Sequence, residues 1–254
     1  MRKLILPLLA AAFLAGAGPA ARAHEGPELM RPGFSFEGML GRYDPAALKR
    51  GFQVFHEVCS NCHSLSLVAY RNLEAIGLTA DQAKAVAAER EVQDGPNDEG
   101  QMFMRPARLS DHYVPPFPNA KAAAVANGGA APPDLSLMAK ARNGGPNYIY
   151  SLLLGFEDTP PEGVTLPDGK FYNKVFPGHA ISMPPPVQDD LVTYADGTKA
   201  TKEQIASDVV TFLNWAAEPE LDARKSLGIE VLAFLAVLTA LLYALKRQLW
   251  KDVH

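Results

Sequence analysis

Residues 55–67 read FHEVCSNCHSLSL. Cys59 and Cys62 are the two cysteines of a 254-residue chain, and His63 follows directly behind them. Upstream, Asp44 offers a helix N-cap and Pro45 suits the first helical position. Leu48, Phe52, Phe55 and Cys59 then recur at helical spacing, so an amphipathic helix is expected to run into the cysteine pair. Three chemistries use Cys-x-x-Cys. A thiol–disulfide redox pair opens a helix, whereas this pair closes one. A structural zinc site needs further thiolates or a spaced histidine pair, and the chain has no third cysteine. In the third, two thiols three positions apart add to the two vinyl groups of one haem, and the adjacent imidazole becomes the proximal iron ligand. Every residue of the stretch suits that use. Cys59 and Cys62 are expected to hold one haem c covalently, with His63 as an axial ligand.

The chain ends fix the compartment. Arg2 and Lys3 precede an apolar run from Leu4 to Ala17, and Ala21-Arg22-Ala23 reads as a small-residue cleavage site. Residues 1–23 are therefore expected to be a secretory signal peptide. Near the other end, the eighteen residues from Gly228 to Leu245 carry one charge, Glu230. As a helix they span about 27 Å, close to the hydrocarbon thickness of a bilayer. Lys246, Arg247 and Lys251 follow, with Tyr243 and Trp250 placed as interfacial aromatics. The expected organisation is a haem domain over 24–222 outside the cytoplasm, a transmembrane anchor over 223–247 and a cytoplasmic tail over 248–254. Export suits the thiol chemistry, because an unattached pair in that compartment would tend to oxidise. With 24 Lys and Arg against 28 Asp and Glu, the net charge is −4. That sign argues against nucleic acid and for basic partners.

The second face of the iron needs its own ligand if the haem is only to pass electrons. His24 lies at the expected mature terminus, His254 beyond the anchor, and His56 on the attachment helix itself. His112 and His179 remain possible. Met30, Met39, Met102, Met104 and Met138 are expected to fill the core, the ordinary use of a methionine among apolar neighbours. Met183 differs, because Pro184, Pro185 and Pro186 follow it. A proline run holds the chain stiff and extended. It can press a thioether onto iron with little loss of entropy, and thioether sulfur favours ferrous iron. Met183 is the expected second axial ligand, with His179 as its rival.

Between His63 and Met183 the pattern is of short helices and turns. One helix starts near Ala80 and runs through "ADQAKAVAAEREV", followed by an irregular acidic loop, "DGPNDEGQMFMRP". "NAKAAAVANGG" is a short helix ended by Gly128 and Gly129, Asp134 caps another that stops at Gly144, and "NYIYSLLLGF" is an apolar helix. The Pro-Asp-Gly turn in "VTLPDGKFYNKVF" predicts a small hairpin. Thr201 and Gln204 form a capping box opening a helix apolar through Val209, Phe212, Leu213 and Trp215.

The blocks "VCSNCHSL", "RPARLSDHYVPPFPN", "APPDLSLMAKARNGGPNYIYSLLLGF", "FPGHAISMPPP" and "DVVTFLNWAAEPELDARKSLG" precede the tail anchor. In content, order and spacing the chain resembles the cytochrome c1 family, the haem subunits of bacterial cytochrome bc1 complexes (ubiquinol–cytochrome c oxidoreductases). The resemblance covers nearly all of the mature chain. It implies a mainly α, class I cytochrome c-like haem domain with insertions, plus one C-terminal transmembrane helix. The attachment helix would cross the helix at 201–217, with Gly51 and Phe55 at the crossing. It further implies His63 and Met183 as axial ligands, Arg142 paired with a haem propionate, and Pro132, Pro133 and Tyr148 lining the pocket. Without the resemblance, Arg142 reads as a cation at a helix C-terminus. The family often has Gln where this chain has His179, and the extra disulfide of some bacterial relatives cannot form here.

The implied function is transfer of one electron from a Rieske iron–sulfur subunit to a soluble c-type cytochrome. The implied setting is the cell inner membrane, beside cytochrome b, with the haem domain on the periplasmic side. Glu89, Glu91, Asp94, Asp98 and Glu99 form the expected patch for steering a basic cytochrome. The alternatives are a tail-anchored donor to a terminal oxidase and a haem sensor or peroxidase-like enzyme with an open iron face. No acid–base pair, nucleophile triad or phosphate loop appears in the sequence.

Overall fold

Asp44 accepts a hydrogen bond from the Ala46 amide (2.9 Å) and Pro45 occupies the first turn of helix α1, Pro45–Glu57. An acceptor before an unpaired amide and a proline where no amide is needed start the helix here. Leu48, Gly51, Phe52 and Phe55 face inward at the spacing expected, and Val54 is buried with them. In this computed structural model the described residues are 27–252, so the signal-peptide expectation for 1–23 lies outside them.

A 3₁₀ turn, Tyr70–Ile76, leads to α2, Ala80–Ala88, whose N-terminus carries a true capping box between Thr79 and Gln82. Helices α3 (Ala120–Ala126), α4 (Met138–Ala141) and α5 (Gly145–Leu154) follow, then α6 (Lys202–Ala217) and α7 (Leu221–Leu249). Two antiparallel ribbons complete the chain: β1 (Glu91–Asp94) with β2 (Phe103–Pro106), and β3 (Phe171–Tyr172) with β4 (Ala180–Ile181). The architecture is mainly helical, as expected. Helix α6 is its hub, with α1, α4 and α5 all packed on it.

The α1–α6 crossing is unusually close. A Cβ at Gly51 would lie 2.0 Å from the Asp208 carbonyl oxygen and 2.8 Å from the Phe212 Cβ. Phe55 packs against Phe212 from the same side, its ring tilted 38° with centroids 5.5 Å apart. The expected crossing is therefore present. Beside it, Arg50 donates from Nε and Nη2 to the two oxygens of Asp208 (2.9 and 3.0 Å), and Gln204 Nε2 adds a third bond at 3.0 Å. Asp208 is fully buried, so this bidentate pairing compensates a charge that water cannot reach.

Several local expectations change. The Pro-Asp-Gly turn forms, with the Lys170 amide donating to Pro167, but the run before it pairs with nothing. The run after it, Phe171–Tyr172, instead pairs forward with Ala180–Ile181, because Asn173 and His179 close the intervening loop. The flanks of the acidic loop pair as β1 and β2, leaving 95–102 irregular; Arg105 bridges Asp94 and Asp111 beneath them. The α2 pattern consequently ends at Ala88, with Glu91 and Val92 drawn into β1. At α6 the capping box is half made: Thr201 accepts from the Gln204 amide, but the Gln204 side chain turns to Asp208. Burial extends around α6 well beyond one face, as expected of a helix covered by three others. Met30, Met39, Met102 and Met104 are exposed rather than core fillers, while Met138 packs against the core. Each exposed methionine sits in a loop or on a two-stranded ribbon, where nothing packs over it.

Among the described residues, α7 alone is long and apolar enough to cross a membrane. Its 29 residues extend about 44 Å, and none of its apolar stretch is buried by the rest of the chain.

Gly51→Ala is expected to destabilise the haem domain by about 3 kcal/mol, the upper part of the overpacking range, because the new methyl meets backbone and not a side chain that can swing away. Chemical denaturation followed by circular dichroism measures it; a loss below about 0.5 kcal/mol would show that the helices separate freely.

Candidate haem site

Helix α1 ends one residue before the cysteine pair begins its turn. The helix stops at Glu57, and Cys59–Asn61 form a 3₁₀ turn in which the Cys59 carbonyl accepts from the amides of Cys62 (3.1 Å) and His63 (2.8 Å). Cys59 is thus just past the helical face expected to carry it. The two residues between the cysteines cap the helix. Ser60 Oγ donates to the His56 carbonyl (2.7 Å), and Asn61 Nδ2 donates to those of Glu57 and Val58 (3.0 and 3.2 Å). These carbonyls would otherwise lack partners at the helix end. The turn that presents both sulfurs is fixed by its own spacer residues.

The setting of Cys59 does not favour a thiolate. Burial, reinforced by neighbouring Cys62, pushes the Cys59 thiol up to about 12, whereas a reactive cysteine is shifted down. A thioether bears no charge, so surroundings that oppose a thiolate cost the attached form nothing. Among the described residues no group of three or more His, Cys, Asp or Glu side chains converges as a bare metal ion would need. The donor set fits a haem held by sulfur and imidazole.

His63 is oriented by the chain that faces it. Its Nδ1 lies 2.8 Å from the Pro133 carbonyl oxygen, which can only accept, so Nδ1 carries the proton and Nε2 keeps its lone pair. Burial pushes the imidazole below its ordinary value, against the opposing effects of Pro133 and the Asp134 charge. Burial favours a neutral ring, and the hydrogen bond to Pro133 sets the tautomer in which Nε2 is the atom able to bind iron.

Asp134 does not cap α4, as its position in the sequence suggested. That helix starts later, at Met138, with no side-chain cap. The Asp134 carboxylate instead accepts from Ser64 Oγ (2.7 Å), the Ser66 amide (2.8 Å) and the Ser136 amide (2.8 Å). The Leu135 amide donates back to Ser64 (2.9 Å), and the Leu67 amide to Ser136 Oγ (3.0 Å). Segment 133–136 is thereby laced to 63–67. Burial works against the Asp134 charge, but the hydrogen bonds from Ser136, Ser66 and Ser64 outweigh it and hold the carboxyl well below the usual carboxylate range. A depressed value makes this lacing complete above the ordinary carboxylate range and weaker only as pH falls through the lower folded value.

Arg142 and Tyr148 are brought together by the turn between α4 and α5. Gly144 has φ +87°, and a Cβ there would meet Leu29 and Tyr148. Arg142 is exposed and forms no ion pair among the described residues; its Nη1 reaches the Ala141 carbonyl at 3.3 Å. Tyr148 is half-buried. Burial pushes its phenol up and the nearby Arg142 charge pulls it down, as neighbours would. Pro132 is half-buried and Pro133 exposed.

Met183 is half-buried and stands two residues past the end of β4. The segment leading to it is bolted to α5 by Asn173, which is fully buried. Asn173 Nδ2 donates to the Leu152 carbonyl (2.8 Å), and its Oδ1 accepts from the Val175 and Phe176 amides (3.0 and 3.1 Å). The Asn173 amide donates to the His179 carbonyl (3.0 Å), and His179 Nδ1 lies 3.2 Å from the Asn173 carbonyl. His179 has φ +59° and tilts against Tyr172, so its ring already serves the loop's neck. His112 is likewise engaged, with Nδ1 2.6 Å from the Ser66 carbonyl. Two of the five acidic patch residues have partners inside the chain: Glu89 pairs with His56 and Asp94 with Arg105.

Asn173 and the true role of Asp134 escaped sequence reading. The signal for Asp134 was the Asp-x-Ser turn spacing; for Asn173 it was one polar side chain inside the apolar run "FYNKVF". Asn173→Ala strands the Leu152 carbonyl and two amides, and is expected to destabilise the domain by at least about 3 kcal/mol, since each of the three orphaned groups costs about 1 kcal/mol or more. Denaturant unfolding tests this, and a change within about 0.5 kcal/mol would show that water replaces the side chain.

Comparison with known proteins adds the lineage. A family model described as the Cytochrome C1 family matches residues 34–253. A cytochrome c1 of Rhodospirillum rubrum is 58% identical over 262 residues, covering 97% of this chain and 96% of that protein. The protein of Schizosaccharomyces pombe named cytochrome c1, heme protein, mitochondrial is 54% identical over 215 residues, covering 85% of this chain and 70% of its own. A Candida albicans protein named cytochrome b-c1 complex catalytic subunit, mitochondrial is 51% identical over 216 residues, covering 85% and 75%. Likeness of this extent, over a chain whose helices frame a Cys-x-x-Cys-His turn, means that it belongs to the cytochrome c1 family, the haem-carrying electron-transfer subunits of cytochrome bc1 complexes.

Proposed function

We propose that this chain receives one electron from a Rieske iron–sulfur subunit and delivers it to a soluble c-type cytochrome on the periplasmic side of the inner membrane. Cys59 and Cys62 would hold the haem through two thioethers, His63 and Met183 would ligate its iron, and Arg142 would pair with a propionate. Pro132, Pro133 and Tyr148 line the pocket. When bound, the haem supplies a one-electron ferric/ferrous couple. The chain's own residues do the rest. Pro133 and the Asp134 lacing hold His63 in one tautomer and one orientation, so little reorganisation accompanies a change of iron charge. Met183, stiffened by Pro184–Pro186, supplies a soft sulfur that favours ferrous iron and raises the potential.

The observation that carries this reading is the His63–Pro133 hydrogen bond, which leaves Nε2 free as a ligand on a chain segment that cannot rotate away. Partner choice follows from the family and from charge. Cytochrome b is the neighbour that the relatives' complex names, and α7 anchors the haem domain beside it. Glu91, Asp98 and Glu99, exposed around the β1–β2 ribbon, supply the negative field that steers a basic cytochrome in. Lys246, Arg247 and Lys251 at the far end of α7 suit the cytoplasmic surface.

Met183→Leu is expected to retain covalently attached haem and to lower the midpoint potential by at least about 59 mV, a tenfold shift for one electron. The ferrous form should also gain carbon monoxide binding. Redox titration of the purified protein decides the matter: an unchanged potential would transfer the ligand role to His179. Replacing Cys59 and Cys62 together with Ala should abolish haem staining on denaturing gels, and a persistent stain would end the covalent assignment.

A further inference from the structure

Residues 34–43 form a loop fastened to the head of the membrane helix. Lys225 Nζ donates to the carbonyls of Phe36 (2.6 Å), Gly38 (2.7 Å) and Gly41 (3.0 Å), and Arg42 Nη2 donates to Ser226 Oγ (2.8 Å). The Arg42 amide closes the loop on the Ser35 carbonyl (3.0 Å). Gly41 has no room for a side chain, since a Cβ would lie 1.8 Å from the Glu37 carbonyl oxygen. The base of the loop is buried: Phe34 stacks on Phe36 at 5.0 Å, and Phe36 meets Tyr43 at 5.3 Å. Its tip is the reverse. Met39 and Leu40 are 72% and 75% exposed, among the most exposed large apolar side chains of the haem domain.

The depth of that tip follows from helix geometry. Met39 and Gly38 line one cleft of about 320 Å³ together with Lys225, Gly228, Ile229 and Leu232 of α7. The uninterrupted apolar run of α7 begins at Val231, directly after Glu230, and Leu232 is its second residue, about 1.5 Å further along the axis. A side chain sharing a cleft with Leu232 is therefore level with the start of the hydrocarbon, not with bulk water. The cations at the loop's shoulders, Arg42 and Lys225, form no ion pair among the described residues, and basic side chains beside a membrane helix suit the level of the lipid phosphates.

We propose that the 35–42 loop is a second membrane contact. Met39 and Leu40 enter the headgroup–hydrocarbon boundary of the leaflet facing the haem domain, with Arg42 and Lys225 at the phosphate level above them. The occupant of the cleft is phospholipid. A single helix leaves a domain free to tilt about its axis; a second contact fixed by three carbonyl bonds to Lys225 sets the height and tilt of the haem domain.

The test uses the full chain in its purified complex, reconstituted into phosphatidylcholine vesicles containing one fifth phosphatidylglycerol. Met39→Cys and Leu40→Cys, labelled with a nitroxide, are compared with Val125→Cys on exposed α3 and Leu235→Cys on the membrane helix. The expected result is collision with molecular oxygen favoured over an aqueous nickel chelate at least tenfold relative to position 125, approaching position 235. Nickel access equal to position 125 would overturn the proposal, and so would exclusion of both reagents, which would mean that a neighbouring subunit covers the tip. Where a labelled variant fails to assemble, the unaltered protein carries the test. Met39 is more exposed than Met102 (53%) and Met104 (56%), yet in vesicles an aqueous oxidant should convert it to the sulfoxide at least tenfold more slowly than either. Oxidation of Met39 in vesicles at the rate of Met102 and Met104 would refute the proposal.

Discussion

Backbone contact between α1 and α6 at Gly51 and Asp208 governs the arrangement of the whole haem domain. Helices whose side chains interdigitate sit 8–10 Å apart, and a missing side chain lets them come nearer. That approach carries Asp208 into the core, where its charge is tolerated because Arg50 meets it bidentately and Gln204 adds a third bond. The ion pair and the glycine are one device. A side chain at residue 51 would part the helices and separate Arg50 from its partner, leaving a buried carboxylate alone, at a cost of about 3–5 kcal/mol. With the crossing fixed, the C-terminal end of α1 is fixed too, and that end delivers Cys59, Cys62 and His63.

The two residues proposed as iron ligands, His63 and Met183, are held differently from the helices. Neither His63 nor Met183 lies within a helix or strand. Each sits on irregular chain that one polar side chain pins to its neighbour: Asp134 laces the His63 segment to 133–136, and Asn173 bolts the Met183 segment to α5. The division has a physical logic. Helices can be placed by apolar packing, which is strong but directionless. A ligand must meet a metal within a few tenths of an ångström, which calls for directional bonds whose donors and acceptors are fully used. In both segments the side chain satisfies backbone groups that have no helical or ladder partner, so the same bonds supply stability and orientation.

Sequence reading worked where the signal was periodic or compositional. Helix α1 with its Asp44 cap, helix α6, the anchor and the cysteine pair were all legible, because each announces itself through spacing, capping chemistry or an apolar run. The crossing at Gly51 came with the family resemblance and matches the close approach found. Local expectations failed where two rules competed. Pro-Asp-Gly did make a turn, but a longer-range closure through Asn173 decided which strands paired. Asp134 had the makings of a cap, yet two donors about seventy residues away, Ser64 Oγ and the Ser66 amide, together with the nearby Ser136 amide outbid a four-residue helix. Gln204 left its capping role for Asp208. In each case a buried group with a large desolvation penalty overrode a local preference worth about 1 kcal/mol, and no pattern within one segment reveals a partner in another. The methionines failed for a related reason: exposure belongs to the assembled surface, not to the residue type.

The joint between domain and anchor applies the same economy to orientation. Only Glu218, Pro219 and Glu220 separate α6 from α7, a spacing at which a free hinge would be expected. Tyr43 removes that freedom. Its hydroxyl accepts from Asn214 Nδ2 of α6 (2.8 Å) and donates to the Glu218 carbonyl (3.2 Å), while its amide donates to Asp222 of α7 (3.2 Å). Glu218 pairs in turn with Arg224, one turn into the membrane helix. One aromatic residue from the N-terminal segment thus touches the last turn of α6, the linker and the first turn of α7. Electron transfer depends steeply on separation, so a carrier that swung on its anchor would lose the fixed distance that its ligand-holding segments secure. Stiffness at this joint extends the order imposed at Gly51 outward to the membrane.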